Sequence, residues 1–241
     1  MLISTETERT HIADSRLACT LAAVAGALNT AAFEIVGFFS ANMTGNVSSL
    51  SDYLAKANVH QGIFFLLIVC MFIFGAMVST LIINAGRRRQ IRTIYAVNIL
   101  LEGAALVALG ITEAHYTLAS SGALLILSLS FLMGLQNAVV TRISNARVRT
   151  THVSGTSTDI GIELAMLFDV LRRKASPKDA PLYVERLRLH TYTILSFLAG
   201  GIAGIGLWHL LNYYFLVLIG LGLVILALSA MRKRPALPVS S

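Results

Sequence analysis

The chain has 241 residues, 56% of them hydrophobic and only 13% charged, with a formal net charge of +7 and a mean hydropathy of +0.73. That charged share is about half that of an ordinary soluble domain and leaves too little polar surface to cover a soluble core. Disorder, a collagen-like rod, a disulfide-stapled scaffold and a soluble nucleic-acid binder are excluded, and the class is an all-α integral membrane protein.

Residues 1–16 are polar, carry Glu6, Glu8, Arg9, Asp14 and Arg16, and lack the basic start and early apolar run of a cleavable signal. They read as a tail before a retained helix. Six apolar stretches then reach the roughly 20 residues needed to cross a bilayer. They lie near 17–39, 62–85, 93–111, 117–141, 191–210 and 212–231. The last two adjoin and predict a tight helical hairpin. No proline interrupts these stretches, so a break inside one must come from glycine or polar residues. Cys19 and Cys70 sit within apolar runs and read as packing residues. Trp208, Tyr213 and Tyr214 fall where an interfacial aromatic belt is expected. Residues 232–241, with Arg232, Lys233 and Arg234, read as a second tail.

Lysine and arginine alternate between segments. Eighteen fall in the two tails and the segments after the second and fourth stretches, and one, Lys56, falls elsewhere. The positive-inside rule then predicts both termini in the cytoplasm and explains the basic balance through topology and acidic headgroups.

An internal repeat organises the chain. Gly26-Ala27-Leu28-Asn29 in the first stretch matches Gly134-Leu135-Gln136-Asn137 in the fourth. Sixteen residues after Asn29 comes Gly45, within Asn42-Met43-Thr44-Gly45-Asn46, and eighteen after Asn137 comes Gly155, within Ser154-Gly155-Thr156. An amphipathic stretch follows each motif, with Val47, Leu50 and Leu54 in one and Ile160, Leu164, Leu167, Phe168 and Leu171 in the other, and suits a helix lying along a boundary. Gly75 and Ser79 match Gly200 and Gly204, small residues that suit either the repeat interface or a homodimer. Three spans per repeat is an odd number. The halves, 17–111 and 112–231 (the latter including a cytoplasmic segment, 141–190), therefore predict a 3+3 inverted-topology repeat, as in many secondary transporters.

The candidate site follows from the repeat. Asn29, Asn42, Thr44, Gly45, Asn46, Gln136, Asn137, Ser154, Gly155 and Thr156 are candidate substrate contacts, because uncompensated amides are costly in lipid and helix starts favour anions. The plain alternatives are interhelical bonding of Asn29 and Asn137 and ordinary helix capping by Thr44 or Ser154. Glu34 and Glu102 are the carboxylates within the stretches and are candidates for proton coupling. Arg142, Arg149 and His152, with Arg147, would draw an anion to the inner mouth. Asp159 and Glu163 read as solvated surface. The six histidines show no metal-ligand spacing, and no phosphate loop, dinucleotide fingerprint or nucleophile elbow is found. Neither cofactor nor catalysis is therefore expected.

The run Gly37 to Val47, with its Asn-Met-Thr-Gly-Asn string, resembles the signature of the YoaK-like family, and Gly134 to Ala138 continuing to Arg149 through Thr156 resembles its second signature. With the spans, the similarity covers roughly residues 15–231. It implies a multi-pass protein of about six helices in the bacterial cytoplasmic (inner) membrane and supplies no established substrate. Three functions stay open on this reading. One is transport of a small polar or anionic solute by alternating access, with Glu34 or Glu102 coupling protons. The second is an ion or small-solute channel. The third is a non-transport scaffold that binds a partner through its basic segment 141–190.

Overall fold

The structure, a computed structural model, describes residues 11–115, 121–144 and 149–232. The tail before residue 11, Arg147 and the tail after residue 232 lie outside the described residues. Those described form eight α-helices and one short 3-10 turn, with no strand. In chain order the helices are α1 (His11–Val36), α2 (Met43–Ala55), α3 (Val59–Arg88), α4 (Ile94–His115), α5 (Ser121–Ile143), α6 (Val153–Leu171), α7 (Ala180–Leu211) and α8 (Tyr214–Arg232). All but α2 and α6 contain an apolar segment long enough to cross a membrane, six in all.

The polarity of the molecule runs opposite to that of a soluble protein. Ile73, Ile202, Leu210 and Ile225 are between 61% and 79% exposed, whereas Asn98, Glu102, Ser130 and Gln136 are fully buried. An exterior of Leu, Ile and Phe on this scale belongs in lipid. The chain is a multi-pass membrane protein.

Packing joins the two halves of the chain. α1 lies along α7, α3 along α5 and α4 along α8. Glycine makes the close approaches. A Cβ on Gly26 would fall on the Phe197 carbonyl, and one on Gly200 on the Ala23 carbonyl. Gly134 faces the Phe72 carbonyl and Gly75 the Phe131 carbonyl in the same way. These contacts correspond in register: α1 positions recur 108 residues on in α5, and α3 positions 125 residues on in α7. Gly103 and Gly220, 117 residues apart, meet reciprocally, each approaching the other's carbonyl. The correspondence reaches the helix ends. Arg142 donates to Asn84 at 3.0 Å, and at the equivalent positions Glu34 stands 3.6 Å from His209.

Two expectations change. α7 and α8 are joined by Asn212 and Tyr213 alone, yet they splay: α8 packs chiefly on α4 and α7 on α1. The short link makes a sharp turn, with Asn212 at φ 49°, but glycine contacts with the first half of the chain choose the partners. Trp208 and Tyr213 pack edge to face at this link, and burial, then the Glu113 charge, pushes the Tyr213 phenol above its ordinary range. Second, the chain turns back along a spanning helix before α2 and before α6 begin. α1 ends at Gly37, whose φ of 75° turns the chain back. Ala41 then donates to Asn29 Oδ1 at 2.8 Å, seven residues before the end of α1 and so about 10 Å back along its axis. Thr151 Oγ1 likewise donates to Asn137 Oδ1 at 3.0 Å, six residues before the end of α5. Each short helix therefore begins beside the interior of a spanning helix.

Candidate functional site

The two returns meet. A cavity of about 700 Å³ lies between the starts of α2 and α6. Asn42, Met43 and Thr44 line it from the start of α2, and His152, Val153 and Ser154 from the start of α6. Asn29 and Asn137 look into it from α1 and α5, and Phe39, Phe72 and Phe197 supply apolar wall. Thr80, Thr141 and Thr151 add hydroxyls, and Arg142 and Arg149 add charge. No Asp or Glu belongs to the described lining.

Each polar side chain has a definite task. Asn29 accepts from Ala41 through Oδ1, and its Nδ2 has no partner among the described residues, leaving a donor for the cavity. Asn137 accepts through Oδ1 and donates through Nδ2 to its own helix, to Met133 O at 2.9 Å. No bond links Asn29 to Asn137; each pins a returning segment. Asn42, not Thr44, caps α2, accepting from the Gly45 N–H at 3.1 Å. His152, not Ser154, stands at the α6 cap, and its side chain makes no capping bond. The shift has a steric cause. A Cβ on Gly45 would collide with the Asn42 side chain and one on Gly155 with the His152 ring, so each glycine lets the residue three before it fold over the helix start.

With His152 not capping, the first-turn N–H groups of α6 are open, as are those of Met43 and Thr44 in α2. Two helix starts thus aim partial positive charge at one cavity, and Arg142 and Arg149 stand on its wall. The arrangement suits an anion.

Other sequence candidates are placed elsewhere. Asn46 is buried against the turn, donating to Phe39 O at 3.1 Å, and Thr156 bonds His152 O at 3.0 Å. They brace the helix starts without lining the cavity. Gln136 points away from it and donates from Nε2 to Glu102 Oε1 at 3.0 Å, joining α5 to α4; Glu102 Oε2 has no partner among the described residues. Glu34 is exposed beside His209, also off the cavity. Glu163 departs from the reading of its sequence neighbourhood. It is buried, 2.9 Å from His190 Nδ1, while Asp159 is exposed.

The residues sequence reasoning missed are chiefly Phe72, Phe197, Thr80 and Thr151. The phenylalanines were findable: each lies three residues before a matched glycine, Gly75 or Gly200. Thr151 lies inside the second motif run, whereas Thr80 carries no comparable signal.

A model of the family described as "Protein of unknown function (DUF1275)" matches residues 17–229. The chain belongs to that family. No curated protein and no solved structure matches it. For this DUF1275 protein the matched region spans both motifs, nearly all of the six spanning segments and the whole cavity lining, so the site is part of the family region.

Proposed function

We propose that this DUF1275 chain carries a small anion, or a polar solute with an anionic group, across a bacterial inner membrane. Alternating access around the cavity is the mechanism, and both termini are cytoplasmic. The observation that carries the reading is the convergence of two helix starts on one cavity lined by Arg142 and Arg149 and by no described carboxylate. Discontinuous helices whose N-termini face a midplane site recur where transporters bind anionic groups. The register correspondence between the halves supports a 3+3 inverted repeat. An interface built from two equivalent halves has two equivalent ways to open. The charge bias of the connecting segments supports the orientation.

The test is solid-supported membrane electrophysiology of the reconstituted protein, with chloride, nitrate, sulfate, phosphate, formate and acetate as probes under an imposed pH gradient. A saturating current is expected for at least one probe. It should fall about tenfold or more in R142Q/R149Q, since a hydrogen bond to a charged group is worth about 1.5–3 kcal/mol. A current that does not saturate would replace the carrier with a channel. Folded protein that gives no current and no anion-dependent thermal stabilisation would overturn the reading.

A further inference from the structure

The register correspondence exposes the places where the halves differ. α2 is tied to α3 by a stack of Tyr53 on Phe65, ring centroids 5.5 Å apart. The equivalent positions, 110 residues on in α6 and 125 on in α7, are Glu163 and His190. Their approach is 2.9 Å, at ion-pair distance without the alignment of a straight hydrogen bond. Glu163 is buried, and its Oε2 has no partner among the described residues. A tie made only for stability is met at one end by two aromatic rings. A buried, half-satisfied carboxylate is a costly way to make the same tie.

The His190 side chain stays 17% exposed beside Glu163. Glu163 and His190 line a cleft of about 830 Å³ between the start of α1, α6 and the start of α7. Its other titratable and charged groups are Arg16 from α1, Asp159 from α6, and Tyr183, Glu185, Arg186, Arg188 and Tyr192 from α7. Three arginines balanced by two carboxylates leave no strong field of one sign around the pair. α6 connects this cleft to the central cavity, because Ser154 lines the cavity and Glu163 lies nine residues, about 14 Å, further along the same helix.

We propose that Glu163 and His190 form a proton-binding site that couples proton uptake to closure of the α6 end of the central cavity. The coupling to access rests on the carrier reading above; the proton site does not. With Glu163 ionised, His190 takes a proton from water in the cleft, and the resulting opposite charges hold α6 against α7. Loss of that proton to the cleft, or protonation of Glu163, removes one charge. The tie weakens, and α6 is free to carry His152, Val153 and Ser154 away from the cavity wall.

The test is pulsed electron–electron double resonance on the full chain in lipid nanodiscs. Spin labels go on L164C and V184C, at exposed positions of α6 and α7, in a C19A/C70A background. Across a series from about pH 5 to about pH 8, two distance populations should exchange, their ratio changing at most about tenfold per pH unit for a single proton. The pH dependence should vanish in E163Y/H190F, which installs the aromatic pair of the other half, and in E163Q. Distances that ignore pH in the unsubstituted pair, or a pH dependence that survives in monodisperse E163Q and E163Y/H190F, would overturn the proposal. Anion currents on the same samples separate the two ideas. A pH-dependent distance in a protein that carries no anion keeps the proton site and removes the carrier. A current with pH-independent distances does the reverse.

Discussion

Asn29 holds two tasks on one side chain: its oxygen pins the buried Ala41 N–H, and its nitrogen faces the cavity. The tasks can be separated. N29A should lower stability by about 1–3 kcal/mol, the cost of stranding a buried donor, read by thermal or denaturant unfolding in detergent. N29D keeps the acceptor and puts a negative charge on the wall. It should keep most of the stability while weakening anion-dependent thermal stabilisation about tenfold or more; an N29D protein that binds its anion as tightly as before would place the anion elsewhere. Glu102 and Gln136 invite a second pair of variants. The equivalent positions in the other half are Ile219 and Leu28, both apolar. Q136L leaves Glu102 buried with no partner and should cost about 1–3 kcal/mol, whereas E102I/Q136L should regain most of that loss in the same unfolding assay. Asn29 and Asn137 were legible because an amide in an apolar stretch is conspicuous. That Gln136 turns from the cavity while its neighbour Asn137 turns toward it follows from the helix rotation of α5 and could not be read from adjacency.

Among the elements, glycine decides which helices touch. At Gly26 and Gly134 an added methyl meets a backbone carbonyl that cannot rotate away. G26A and G134A should therefore each destabilise by about 1–3 kcal/mol or more, and G206A, whose Cβ would meet open space, should not. Thermal unfolding of the three purified variants checks this, and equal losses in all three would remove the close-approach argument. The apolar stretches fixed where helices run to within a few residues, with two exceptions: α1 starts at His11, inside the stretch read as a 1–16 tail, and α7 starts at Ala180, well before the apolar stretch at 191. Its first turns are amphipathic and are held by α6, a tertiary contact that hydropathy does not report. The returns before α2 and α6 were also hidden. They depend on Ala41 and Thr151 reaching side chains 12 and 14 residues earlier, and no periodic pattern marks such bonds.

For the whole molecule, the main partner of α1, α3 and α4 lies in each case in the second half of the chain. Neither half can then bury its glycine faces alone. Residues 1–116 and 117–241 expressed separately should yield little membrane-inserted, protease-resistant protein, and their co-expression should restore it. A half that folds alone would show that the cross-half contacts are dispensable. The six spans also predict that reporter fusions at the two ends fall on the same side, the cytoplasmic one.

Hydropathy, charge bias and the duplicated Gly-x-x-Asn and Gly-hydroxyl motifs are local properties, because lipid demands long apolar helices and repeated sequence is visible along one dimension. From them the sequence alone determined a membrane protein with six helices of spanning length and duplicated motifs, and named most of the cavity polar groups. Only the tertiary structure decided that the two motif segments return and meet around one cavity, that Asn42 and His152 replace Thr44 and Ser154 at the helix starts, and that Glu163 finds His190. Those outcomes rest on helix rotation and on contacts between distant segments, which depend on how the glycine faces interlock.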